Sequence, residues 1–395
     1  MIGIKSPLIG VGLSEAVARS CSWLSLALLP FFISPSDYGK IVLCYSLLMT
    51  LSPLVLMGQD RELLSAKTEN IALEAFSAAT VCMITSAILF LLGAGSIPFI
   101  PEAPLYLLYI PLVALLLSLN KILLCTYRTQ SKFLQFSKNR LLYASTRLIL
   151  VVTLSSYTGS TFLYLLAESF AAVFTSLKVF SVASWSKISF YTLRIRISKG
   201  LPIACHGISG ILLSMSDRFI LAHYLDSDAV GQYSFMYTFT SALTFAYAVI
   251  AIVFEPKIYK SNSILELSKT TTKCVIYMIS LGCVLSVILS VCYFIATIYL
   301  EEYTYNPLIY CVLLAAHLIM PFYLVSNYTL IKIGRAKLLF FSSLIAMILN
   351  VALNVFLIPK YGITGAAYST LAGNLALVVV VQTMRHKNIY KFSWT

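Results

Sequence analysis

The chain is a succession of apolar runs, each about as long as a bilayer is thick, separated by short polar segments. A helical span needs roughly 20 mostly apolar residues. Runs of that kind fall at about 9–32, 41–57, 75–97, 105–126, 141–155, 162–183, 201–222, 233–254, 274–299, 307–331, 338–358 and 363–384, twelve in all. Lipid offers no hydrogen bonds to an open backbone, so segments of this kind fold as helices. The chain is 59% apolar and 11% charged, against about 45–50% and about 25% in soluble domains. The expectation is therefore an all-α polytopic membrane protein. The fifth run is short and carries Arg147, and the first is interrupted by Glu15 and Arg19. The first also lacks an A-x-A cleavage site, so it reads as a retained span and not a signal peptide.

Twelve spans put both termini on one side and divide the loops into two sets. One set holds Lys5; Arg61 and Lys67; Arg128, Lys132, Lys138 and Arg140; Lys187, Arg194, Arg196 and Lys199; Lys257, Lys260, Lys269 and Lys273; Lys332, Arg335 and Lys337; and Arg385, Lys387 and Lys391. The other holds only Lys40 and Lys360, and Arg19, Lys121, Arg147, Lys178 and Arg218 lie within spans. Short cytoplasmic loops collect Lys and Arg, so this asymmetry predicts cytoplasmic N- and C-termini. The net charge of +13 is then almost entirely topological, and no nucleic-acid partner is expected.

Nine cysteines, most of them inside spans and none in a C-x-x-C pair, read as small hydrophobes without a disulfide framework. His206 and His317 are isolated within spans and read as packing or hydrogen-bonding residues. No metal site, cofactor or catalytic centre is expected. No cytoplasmic loop contains G-x-x-x-x-G-K-[ST], which argues against ATP hydrolysis by this chain. The outward loops SPSDYGK, PFIPEAP, HYLDSDAVGQ and EEYTYNP are too short for the acceptor site of a membrane glycan polymerase or ligase. A non-enzymatic transporter or flippase is the leading expectation, ahead of a channel or a purely structural membrane protein.

The sequence also repeats. A shift of 192 residues aligns Gly39 with Gly231, Tyr45 with Tyr237 and Ser22 with Ser214, and a weaker match pairs 158–171 with 363–376. Two six-helix lobes follow, residues 1–195 and 196–395. Because six is even they share one orientation, the parallel internal repeat that some transporters use.

The segments SPSDYGKIVLCYSL with GQDREL, SDRFILAHYLDSDAVGQYSFMYTF followed by FEPKIY, and NVALNVFLIPKYGITGAAYSTLAGN resemble the O-antigen and capsule repeat-unit flippases of the multidrug, oligosaccharidyl-lipid and polysaccharide exporter superfamily. The resemblance covers essentially the whole chain in order. It implies a two-lobed helical bundle that moves undecaprenyl-pyrophosphate-linked oligosaccharide across the bacterial inner membrane by alternating access without ATP. It further implies a basic cavity and coupling to H+ or Na+ in some members. Besides the lipid-linked substrate, the expected partners are membrane lipids and glycan polymerase machinery. A drug antiporter of the same superfamily is the alternative, and such a protein would favour carboxylates in its cavity.

Ionised side chains at the bilayer centre cost about 2.5–3.5 kcal/mol each, so they face a cavity or a partner. Lys121 and Lys178 lie near span ends and can snorkel. Arg19 and Arg147 lie deeper. Gly12, Glu15, Arg19 and Ser22 share one face of the first span, and Gly207, Gly210, Ser214 and Asp217 form a similar stripe in the seventh. An arginine fork suits a diphosphate. Arg19 and Arg147 are thus candidate diphosphate contacts, with Arg218 nearer the outer mouth and Glu15, Asp217 or Glu168 as the protonatable group. The competing reading makes Glu15 and Arg19 a structural ion pair. Adjacent Asp217 and Arg218 are expected to point about 100° apart and not to share a face. Asn350 and Asn354, on one face of the eleventh span, are candidate cargo contacts, since an amide can serve a sugar hydroxyl or bridge helices.

Overall fold

The structure, a computed structural model, describes residues 7–65, 68–96, 104–182 and 189–390. Lys5, Lys67, Lys187, Lys391 and most of the PFIPEAP loop lie outside the described residues. The described chain forms no strands. Its α-helices are α1 (Pro7–Ala27), α2 (Pro35–Leu56), α3 (Gln59–Ser65), α4 (Ile71–Ser96), α5 (Ile110–Thr129), α6 (Phe133–Thr158), α7 (Thr161–Ser176), α8 (Val179–Val182), α9 (Phe190–Tyr224), α10 (Ser227–Lys260), α11 (Ile264–Tyr299), α12 (Pro307–Leu318), α13 (Met320–Lys332) and α14 (Lys337–Ile389).

Each of the twelve apolar runs coincides with helix. Among the described residues nine segments are long and apolar enough to cross a membrane. Charged α1 and α9 add two, and α14, 53 residues long, divides at Gly362 into two more-than-adequate halves. Gly362 has φ +56° and ψ −134°, a backbone conformation closed to residues with a Cβ. The short fifth run becomes α6, a full 26-residue helix. Hydropathy truncated it because Lys138, Arg140 and Arg147 fall on it. The tenth run is bent: Ile319 ends α12 and caps α13 just before Pro321, a proline placed in the first turn where no N–H is needed.

Several helix starts are written locally. Ser34 Oγ accepts from the Asp37 backbone N–H at 3.2 Å ahead of α2, with Pro35 as the first helical residue. Asp226 Oδ1 accepts from Ala229 N–H at 2.8 Å ahead of α10. Side-chain oxygens at this position satisfy orphan donors of the first turn. Residues 34 and 226 differ by the 192-residue repeat shift, so equivalent positions cap equivalent helices.

The chain divides into two compact units: residues 1–33 with 40–208, and residues 34–39 with 209–395. The division falls inside α9, whereas the expected boundary at 195/196 lies near that helix's start. The first half of α9 stays with the first unit because Arg196 is buried there. In the first unit α6 packs on α1 and α7, and α5 packs on α4 and α7, around Leu116, Tyr143, Ala171 and Ala172. In the second unit α10 packs on α11, α12 and α13, and α14 on α12 and α13, around Leu243, Tyr247, Cys274, Met278 and Val325. Large apolar side chains such as Val284, Val287, Ile288 and Val291 on α11 are left exposed, the surface expected of a helix solvated by lipid.

The second unit also holds the start of α2. A Cβ added to Gly39 would strike the Ser227 carbonyl oxygen, and one added to Gly231 would strike the Pro35 carbonyl oxygen. The repeat-matched glycines therefore mark a backbone-to-backbone crossing of α2 and α10 that is itself symmetric under the repeat. Tyr38 is fully buried there, its hydroxyl 3.1 Å from Thr238 Oγ1.

Candidate functional site

In the first unit, Glu15 and Arg19 sit one turn apart on α1, and Arg19 Nε donates to Glu15 Oε1 at 3.3 Å. Arg140 completes the group from α6, donating from Nε to Oε2 at 2.8 Å and from Nη2 to Oε1 at 3.2 Å. The sequence assigns Arg140 to a loop. It lies instead within α6, because that helix begins at Phe133. One carboxylate thus serves two guanidinium groups, and the cluster carries a net charge of +1. The Arg140 fork is committed to Glu15, while the Arg19 side chain remains 50% exposed. Arg19 can meet an anion without first breaking a buried contact.

Arg147 differs from this expectation. Its side chain and that of Glu168 are 6% and 2% exposed, and Arg147 Nη2 lies 2.6 Å from Glu168 Oε1. Arg147 Nε donates to the same carboxylate at 2.7 and 3.0 Å. The hydroxyls of Tyr164 and Tyr143 donate to it at 2.8 and 3.3 Å. The remaining Arg147 donor reaches the Ser22 carbonyl at 2.9 Å and the Ser25 hydroxyl. A guanidinium held on all sides ties α1, α6 and α7 together and presents no open fork to a diphosphate. Glu168, flanked by two tyrosines and an arginine, is likewise occupied.

In the second unit Asp217 and Arg218 do meet, contrary to the expectation from their 100° offset. Asp217 Oδ1 accepts from Arg218 Nη1 and from the Arg218 backbone N–H, both at 2.9 Å. The offset applies to Cα–Cβ directions. Arg218 is long enough to fold back along α9 and also donates to the Ser214 carbonyl at 2.8 Å. The hydroxyls of Tyr233 and Thr370 donate to Asp217 Oδ2, and the guanidinium lies 4.3 Å from the Tyr237 ring centroid, within cation–π range. Each unit therefore contains one buried arginine–carboxylate pair flanked by tyrosines. Sequence inspection finds the charges but not these partners, which come from other turns and helices.

Asn350 and Asn354 are both fully buried. Asn350 Nδ2 donates to the Ser369 carbonyl at 3.0 Å, and its Oδ1 accepts from Ser216 at 3.1 Å and from Asn354 at 3.0 Å. These bonds join α9 to both halves of α14, so the two amides bridge helices. A corresponding chain in the first unit, Asn139 to Asn120 at 3.1 Å and Asn120 to Thr175 at 2.8 Å, went unread in the sequence. Its only signal was an asparagine inside an apolar run. Lys121, expected to snorkel, lies 2.9 Å from Asp60. Arg196 is buried against Glu62 and Glu74 and bonds Gln59 Oε1 at 2.9 Å, which uses much of the GQDREL segment to fix α3 and α4 to α9.

The second unit also holds a half-open cavity of about 280 Å³. Gly210 and Ser214 of α9, Tyr237 and Thr244 of α10, His317 of α12 and Asn374 of α14 are among its walls. His317 packs edge-on against Tyr237 with ring centroids 5.0 Å apart. Gly207 abuts the Pro53 side chain in the first unit, but Gly210 has nothing within 4 Å of an added Cβ, so the stripe on α9 is partly helix contact and partly cavity wall.

The fold is similar to those of solved membrane transporters and of a lipid flippase. An inward-facing multidrug resistance MATE transporter of the MOP superfamily superposes with a TM-score of 0.75 at 12% identity, over 96% of this chain and 98% of that one. The lipid II flippase MurJ in an inward closed conformation gives 0.73 at 15% identity, over 95% and 87%. A superfamily transporter from Pyrococcus furiosus gives 0.56 at 12%, over 97% and 95%. No family model matches the sequence. An uncharacterised membrane protein of Methanocaldococcus jannaschii is 23% identical over 239 residues, 59% of this chain and 56% of that protein, so the match spans little more than half of that relative's length.

Proposed function

We propose that the protein is a flippase for lipid-linked oligosaccharide, moving undecaprenyl-pyrophosphate-linked O-antigen or capsule repeat units across the bacterial inner membrane by alternating access of its two lobes. Both termini are cytoplasmic in this reading, and the product is handed to polymerising machinery on the outer face. The observation that carries it is the Arg19–Glu15–Arg140 cluster, with its net positive charge and half-exposed guanidinium. A diphosphate is drawn to a cationic fork, and the shared carboxylate keeps the attraction weak enough for release. A cation exporter would need the opposite charge at that place. Lipid-linked glycans also carry a diphosphate in a low-dielectric setting, where one exposed arginine has a strong effect.

Arg147 and Arg218 support the lobes in this account and do not touch cargo. Among the three intramembrane carboxylates, Glu15 is the most exposed and, accepting from both Arg19 and Arg140, serves in this reading as their charge partner, while Glu168 and Asp217 are each buried and saturated with donors. The test is surface-glycan display in cells whose only copy carries Arg19→Ala, with membrane abundance measured alongside. Loss of display at normal abundance is expected. Full display would overturn the assignment.

A further inference from the structure

We infer that the cavity in the second unit is a subsite for a neutral pyranose ring, the sugar portion of the cargo in the reading above, on which this inference rests. No Asp, Glu, Lys or Arg lines it. Its polar groups have mostly spent their hydrogens already: Ser214 donates to the Ile211 carbonyl at 3.0 Å, Ser241 to Thr238 at 3.0 Å and Thr244 to Ser241 at 2.7 Å. Asn374 Nδ2 donates to the Ala316 carbonyl at 3.0 Å. His317 Nδ1 lies 2.8 Å from the Leu313 carbonyl, and a carbonyl can only accept, so in the neutral ring Nε2 is the acceptor.

A wall of hydroxyl oxygens, an amide oxygen and an imidazole nitrogen presents mainly lone pairs, with donors remaining on the second Asn374 N–H and on the Tyr323 hydroxyl, which accepts from Asn327 at 3.1 Å. Such a wall disfavours phosphate or carboxylate, which bring only acceptors, and suits a ligand that brings several O–H donors without charge. Tyr323 adds an aromatic ring to the wall, the complement of a pyranose C–H face. An organic cation would also find acceptors here. The Tyr237 ring, however, already holds the Arg218 guanidinium at 4.3 Å, so that wall offers a second cation little. The diphosphate and glycan of one cargo would then be held in different places, the former at Arg19 and the latter in this cavity.

Two substitutions probe the site without touching the ion pairs. Gly210→Leu fills the cavity from a position where a Cβ meets nothing within 4 Å, and leucine favours helix over glycine. Thr244→Val keeps the shape and removes one acceptor. The measurement is calorimetric titration of the full-length protein in nanodiscs with the methyl pyranosides of glucose, galactose, mannose and N-acetylglucosamine, and with tetraphenylphosphonium. Saturable binding of at least one pyranoside is expected, abolished by Gly210→Leu and weakened up to about tenfold by Thr244→Val, the worth of one hydrogen bond. Absence of pyranoside binding, pyranoside binding unchanged by both variants, or binding of tetraphenylphosphonium that Gly210→Leu removes would each overturn the inference. Transport of lipid-linked glycan by the wild type is scored separately. A protein that binds pyranosides in this cavity but moves no glycan lipid defeats the flippase reading alone, and one that moves the lipid but binds no pyranoside defeats the subsite alone.

Discussion

Removing the Arg147 charge separates a structural arginine from a cargo-binding one. Arg147→Met leaves the Glu168 carboxylate buried among two tyrosine hydroxyls with no cation, and breaking a buried pair in this way costs about 3–5 kcal/mol. Adding Glu168→Gln removes the stranded charge, its amide oxygen accepting from one of Tyr143 and Tyr164 and its NH2 donating to the hydroxyl oxygen of the other. What is then still missing is the donor to the Ser22 carbonyl and the Ser25 hydroxyl, a residual cost of about 1–3 kcal/mol. For a unit of this size about 1 kcal/mol corresponds to roughly 2–4 °C in Tm. The single variant should therefore melt roughly 6–20 °C below wild type, and the double variant should recover about half of that loss. Fluorescence-detected size-exclusion after heating reads both, with transport measured on the same samples. A single variant that melts with wild type but transports nothing would refute the structural role. So would a double variant that regains its Tm and remains inactive.

Other consequences are simpler. Arg19→Ala should change Tm by less than the equivalent of about 1 kcal/mol, as expected for a half-exposed ion pair, while abolishing glycan transfer; membrane abundance and flipping measured together check this. Gly39→Leu and Gly231→Leu should be similarly damaging, because each pushes a side chain into the carbonyl of the other helix's start. A large difference in their membrane abundance would deny the symmetric crossing. Gly362→Ala forces a Cβ into φ +56°, at a cost of about 1–3 kcal/mol, and should lower Tm by several degrees.

Much of this fold was legible because lipid turns helix placement into a one-dimensional problem. A run that is apolar for about 20 residues has few alternatives, and all twelve runs prove helical. The exceptions are instructive. α6 looked short because its charges count against it in hydropathy, although Arg140 and Arg147 are each paired by a neighbouring helix. Helix caps at Ser34 and Asp226 and the Gly39–Gly231 match were also in the sequence, but only three dimensions reveal that the two glycines touch each other's helix.

The charges were visible and their partners were not. Depth along a span cannot say whether an arginine meets water or a carboxylate 21 positions later, as Arg147 meets Glu168. Helical angles mislead for long side chains, as the Asp217–Arg218 contact demonstrates. Asn350 can serve a sugar or a helix, and the Ser216 and Ser369 groups that it bonds come from α9 and the far half of α14. Of the cavity in the second unit, the sequence showed the Gly210–Ser214 part of the stripe on α9, while the serines, threonines and histidine of the other walls are scattered over separate helices.

The central claim is that a diphosphate-linked glycan is the cargo and that Arg19 engages it. Its most direct test is reconstitution of the purified protein in vesicles loaded with fluorescent undecaprenyl-pyrophosphate oligosaccharide, without ATP, scoring how much label becomes accessible to an added membrane-impermeant quencher. The account predicts protein-dependent movement that Arg19→Ala abolishes and Arg147→Met with Glu168→Gln retains. Vesicles that move an organic cation but leave the glycan lipid in place would contradict it.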